Sequence, residues 1–88
     1  METVIDSRLD ALRAELERFG WIAQHHGRGG GVPRPFLHVL NPLDRGLNDS
    51  VECRAERFCW LWGTEIGPVD DVPGTAARIM YAMRLVGS

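Results

Sequence analysis

The chain contains no lysine: all ten of its basic residues are arginine, set against twelve Asp and Glu, for a formal net charge of -2 over 88 residues. Arginine used without lysine is a habit of GC-rich bacterial genomes, and these arginines are scattered with no basic block. A negative balance of that kind argues against sequence-independent nucleic-acid binding, whose affinity comes mainly from neutralised phosphates. Cysteine is scarce too. Cys53 and Cys59 are the only two, too few for the disulfide framework of a small secreted domain, so two reduced thiols are expected. Long apolar runs are missing: the most hydrophobic stretch, around Phe58 to Trp62, falls far short of the ~18 residues that a membrane-spanning helix needs. The N-terminus has Glu2, Asp6 and Asp10 where an export signal carries a basic start and an apolar core, and a cytoplasmic location is therefore expected.

What is present suits a folded globule. Hydrophobic residues make up 44% and charged residues 25% of the chain, and the length leaves room for one small domain over residues 1–88. A domain of this size has a thin core and leaves large apolar groups at its surface or in an interface. Between Thr3 and Phe19, residues Ile5, Leu9, Leu12, Leu16 and Phe19 recur at helical spacing, which predicts an amphipathic helix. Thr3 or Ser7 can cap its start, and Gly20 stands just past its end.

Trp21 to His26 reads as a strand with Trp21, Ala23 and His25 on one face. Gly27 to Pro35, with its glycines and prolines, reads as a connection. Phe36 to Leu40 is a second strand closed by the Asn41-Pro42 turn signal, and Leu43 to Asn48 reads as a loop. Ser50 to Arg54 is a third strand with Val51 and Cys53 inward, and Arg57 to Trp62 a fourth, with Phe58, Trp60 and Trp62 on one face and Cys59 and Leu61 on the other. Ala55-Glu56 joins these two as a short hairpin link without the Asn-Gly or Asp-Gly that such turns favour. Glu65 to Val69 reads as an extended crossing segment. Asp70 or Asp71 can N-cap a final helix that takes Pro73 in its first turn, buries Ala76, Ile79, Met80 and Met83, and runs to about Leu85. The order α, four β, α implies an α+β domain of two layers, an antiparallel four-stranded sheet with both helices on one face.

The segment from Trp60-Leu61-Trp62-Gly63 through Ile66-Gly67-Pro68 to Ala76-Ala77-Arg78-Ile79, together with Gly20-Trp21 after the Leu-rich helix, resembles a group of small uncharacterised actinobacterial proteins typical of Streptomyces. The resemblance spans about Leu9 to Leu85 and implies a cytoplasmic bacterial protein of this α+β fold. Its motifs are structural punctuation and imply no activity.

Candidate chemistry is sparse. His25, His26, His38, Cys53 and Cys59 are the soft-metal ligand types, but zinc sites present close pairs such as C-x2-C or H-x3-H, and adjacent strand residues such as His25 and His26 point to opposite faces. The expectation is an exposed His pair, two cysteines packed as small apolar groups, and neither metal nor cofactor. Cys59 with His38 is the one nucleophile and base pairing the strand order allows, and nothing local to either thiol points to a lowered pKa. Glu65, Asp70 and Asp71 form a small acidic group that capping accounts for. The glycine run at 27–31 leads into Val32-Pro33-Arg34-Pro35 and opens no helix, unlike a phosphate loop.

The aromatic residues carry the most information. One face of a single antiparallel sheet is left uncovered by the helices, and aromatic residues are enriched at interface cores. The expected function is a non-enzymatic interaction module, a homodimer or the small partner of a larger protein. Phe58, Trp60, Trp62 and Trp21, with Arg28 and Arg34, are the contact residues, the alternative for the aromatic face of the last strand being core packing under the two helices. A small ligand-binding protein or enzyme with a pocket between the glycine-rich loop and the last helix, using His25, His38 or Glu65, is the alternative. An Arg28 and Arg34 contact with nucleic acid is a weaker one.

Overall fold

The computed structural model describes residues 4–27 and 34–84. Its elements are α1 (Val4–Arg18), β1 (Ile22–His26), β2 (Phe36–Asn41), β3 (Asp44–Arg54), β4 (Arg57–Trp60), β5 (Glu65–Pro68) and α2 (Val72–Ala82). The sheet is an antiparallel meander in the order β1-β2-β3-β4-β5, with both helices contributing to a core on one face. The α+β architecture is as the sequence implies, with five strands where four were expected. The fifth is the segment Glu65–Pro68. Gly67 and Pro68 argue against a central strand, but β5 lies at the edge, where a missing donor and a missing side chain are tolerated.

The core shows which residues face inward. Leu9, Leu12 and Leu16 of α1, Leu37 and Val39 of β2, Val51 of β3, Phe58 of β4 and Ile79 of α2 are all fully buried. The ends of the α1 stripe depart from the periodicity: Ile5 and Phe19 are 37% and 57% exposed, and Asp6 is buried. Phe19 falls outside the helix, which ends at Arg18 and is closed by Gly20 at φ +82, with the Trp21 N–H on the Leu16 carbonyl at 3.2 Å. Left-handed backbone of this kind suits glycine.

Two turns set the strand lengths. The ladder shifts register between Leu40 and Asn41, so β3 begins at Asp44 and the polar stretch read as a loop is the start of an eleven-residue strand. At the far end of β3, Ala55 and Glu56 both have positive φ, 51 and 65, the pair of signs that a two-residue type I′ hairpin demands. β4 ends at Trp60 and not at Trp62 because the chain turns there: the Gly63 N–H bonds the Trp60 carbonyl at 2.8 Å, with Gly63 at φ +117.

Asp71 caps α2, its Oδ1 accepting the Gly74 N–H at 3.0 Å, with Pro73 in the first turn. The helix ends at Ala82, and Leu85 lies outside the described residues. Buried Asn41 binds α2 to the sheet, donating from Nδ2 to the Met83 carbonyl at 2.7 Å and accepting the Leu43 N–H at 2.8 Å. Gly67 is where α2 meets β5 most closely: a Cβ there would stand 2.6 Å from both Thr75 Oγ1 and Arg78 Nη1.

Candidate functional site

The aromatic strip divides between core and surface. Phe58 and Trp60 are 0% and 8% exposed, on the helix-facing side of β4, whereas Trp62 is 65% exposed. The expectation that Phe58 and Trp60 line a contact surface is therefore corrected. Strand alternation puts both under the helices, and Phe58 pairs with Cys53 and Trp60 with Val51 in that inward row. Trp21 is half-buried and packs against the same core.

Trp62 is held although it is exposed. Its indole Nε1–H donates to Asp49 Oδ2 at 2.9 Å, and its ring lies parallel to that of Trp60, with centroids 6.0 Å apart and planes 4° from parallel. The stacking of an exposed indole on a buried one is an attractive arrangement worth about 0.5–1.5 kcal/mol beyond area burial. The result is a fixed aromatic group with most of its surface in solvent.

Topology gathers other apolar residues at that end. The β2–β3 turn, the β4–β5 turn, the α1–β1 junction and the C-terminus of α2 all lie at one end of the sheet, as the strand register and the Asn41 bond to Met83 require. Of the seven large hydrophobic residues exposed among the described residues, five belong to it: Phe19, Leu43, Leu61, Trp62 and Tyr81. Arginines flank two of these rings, with the Arg84 guanidinium 3.7 Å from the Tyr81 centroid and that of Arg18 5.9 Å from Phe19.

The open face of the sheet carries no aromatic strip. It presents Gln24, His38, Ser50 and ion pairs: Arg54 Nε lies 3.1 Å from Glu52 and Arg57 Nε 3.6 Å from Glu65. His26 stacks on Phe36 at 4.7 Å, and His38 Nε2 is 3.0 Å from Asn48 Oδ1. Arg34 is exposed and pairs with Glu52 at 3.5 Å, at the opposite end from Trp62, so it does not join the tryptophan in one surface. Arg28 and Gly29 to Gly31 of the glycine-rich run lie outside the described residues, and the described residues form no pocket.

The two thiols are on opposite faces, since Cys53 pairs with Phe58 and Cys59 with Glu52. Cys53 is pushed up from the ordinary thiol value by burial, opposed by the nearby Arg8 guanidinium. The Arg8 guanidinium bonds Glu56 at 2.8 Å and holds that carboxyl below its usual range. Asp71 is the cap expected of the acidic group, while Glu65 is on β5 rather than in a loop.

His25 is not the exposed strand end expected of it: its ring nitrogens lie 2.9 Å from Asp6 and 2.9 Å from Asp10. The legible signal was two carboxylates four apart on one helix face, with a histidine on the inward row of the next strand. No described helix is long and apolar enough to cross a membrane. The chain matches no family model, no curated protein and no solved structure.

Proposed function

We propose that the protein is a cytoplasmic, non-enzymatic interaction module that associates through the end of the sheet bearing Trp62, first with a second copy of itself and otherwise as the small subunit of a larger protein. The observation that carries this reading is the gathering of exposed Phe19, Leu43, Leu61, Trp62 and Tyr81 at one end of the molecule, with Trp62 fixed in place by Asp49. Tryptophan, tyrosine and arginine are the residues most enriched where interface energy concentrates, and a side chain already immobilised loses less entropy on binding.

Light scattering on a size-exclusion peak over a wide concentration range, in reducing buffer, tests it. The wild type is expected to reach dimer mass at high concentration, and Trp62→Ala to remain monomeric while folded. A wild type that is monomeric throughout excludes self-association and leaves the larger-partner form, which then requires that Trp62→Ala lose a partner the wild type retains in pull-downs. If Trp62→Ala leaves every assembly unchanged, the reading fails.

A further inference from the structure

The apolar groups at the Trp62 end come from separate elements, and polar bonds decide how they stand to one another. Trp62 is tied to β3 through Asp49. Leu43, 80% exposed on the β2–β3 turn, and Tyr81, 67% exposed in the last turn of α2, belong to different layers, and no strand ladder joins them.

Asn41 stands between them. The buried positions of β2 alternate as Leu37, Val39 and Asn41, so a polar amide occupies the last place of the inward row, where an apolar side chain would pack without needing partners. A buried amide is tolerated only when it is bonded. Here Oδ1 accepts the Leu43 N–H at 2.8 Å and Nδ2 donates to the Met83 carbonyl at 2.7 Å. Met83 is the C-cap of α2, and the final carbonyls of a helix have no partner within it. Pro42 has no N–H and a fixed φ, so the first donor of the turn is the Leu43 N–H. One planar group thus holds the backbone of Leu43 and the backbone two residues after Tyr81. Arg84 completes the helix end, donating from Nη1 to the Tyr81 carbonyl at 2.6 Å with its guanidinium over the Tyr81 ring.

We infer that Asn41 is a positioning residue of the association end: its amide sets the β2–β3 turn against the C-terminus of α2, so that Leu43 and Tyr81 meet a second copy as parts of one surface with Trp62. This role rests on the association reading. Asn41 is 3% exposed and acts through the backbone it holds, by removing independent motion of turn and helix end that binding would otherwise have to arrest.

Asn41→Ser separates the two bonds. A serine hydroxyl still accepts the Leu43 N–H in a turn of the same kind and is too short to reach the Met83 carbonyl. Amide hydrogen exchange on the folded variant is expected to leave Leu43 as protected as in the wild type, while the Met83 and Arg84 amides, bonded to Ile79 and Tyr81, exchange at least about tenfold faster. Light scattering over a concentration series then gives the dimer dissociation constant, expected to rise at least about tenfold. Leu37→Val, a change to a fully buried residue at the far end of β2, is expected to associate as the wild type does, with both variants read where circular dichroism shows folded chains. A merely structural role would weaken the two alike. The inference is overturned if Asn41→Ser dimerises like the wild type, if Leu37→Val weakens association as much, or if the helix-end amides do not respond. Loss of the dimer in Trp62→Ala but not in Asn41→Ser strikes this role and leaves the association reading standing, whereas a wild type that forms no dimer strikes that reading and this role with it.

Discussion

Cys53 and Glu56 bear on stability through their titration, and the two act in opposite directions. The Cys53 thiol is raised by burial above the value it has in the unfolded chain, so the folded state binds its proton more tightly. Its contribution is fully present below the ordinary thiol range and is lost as pH rises through the folded value. Denaturant unfolding followed upward from neutral pH is expected to show the wild type losing stability that Cys53→Ala does not lose, and the native thiol should alkylate far more slowly than the unfolded one. Glu56, lowered by the Arg8 guanidinium, contributes above the ordinary carboxylate range and loses that contribution as pH falls. The pair is exposed and its effect is correspondingly small.

At the scale of the element, the β3–β4 hairpin carries local strain. Ala55 sits at φ 51, a left-handed conformation that costs a non-glycine residue about 1–2 kcal/mol. Ala55→Gly is expected to stabilise the domain by about 1 kcal/mol, after the entropy of the more flexible unfolded chain is set against the relief, read as a higher denaturant midpoint at unchanged slope. The same hairpin shows how far elements were legible. Alternation of Val51 and Cys53 against Glu52 and Arg54 located both strands, although the turn lacks its usual residues. Both helices were legible from Leu9, Leu12 and Leu16 and from Ala76 and Ile79. β5 was not, because Gly67 and Pro68 resemble loop residues and only the edge position explains them. The long start of β3 was hidden for a related reason: Asp44, Gly46 and Asn48 bond among themselves and their neighbours, with Gly46 N–H on Asp44 Oδ1 at 3.0 Å and Asn48 Nδ2 on the Arg45 carbonyl at 3.1 Å, and such bonding is what makes these residue types read as turns.

At the scale of the whole molecule, the two layers decide which aromatic residues are free. Periodicity shows that Phe58, Trp60 and Trp62 share a face, and it cannot show where the strand stops. β4 ends at Trp60, and that one fact separates a core tryptophan from a surface one. It also moves the proposed contact from the open face of the sheet, where ion pairs predominate, to its end, where Leu43, Leu61 and Trp62 are exposed. The contact of His25 with Asp6 and Asp10 also joins the two layers, and periodicity places those carboxylates on one helix face without showing that this face meets β1. The measurement that tests this division most directly is equilibrium unfolding of Trp60→Ala and Trp62→Ala side by side. Trp60→Ala is expected to lose about 3–5 kcal/mol, the cost of removing a buried aromatic side chain, and Trp62→Ala about 1 kcal/mol, the loss of one stack and one exposed hydrogen bond. Equal destabilisation by the two substitutions would make Trp62 a core residue and contradict its assignment as the anchor of a contact surface.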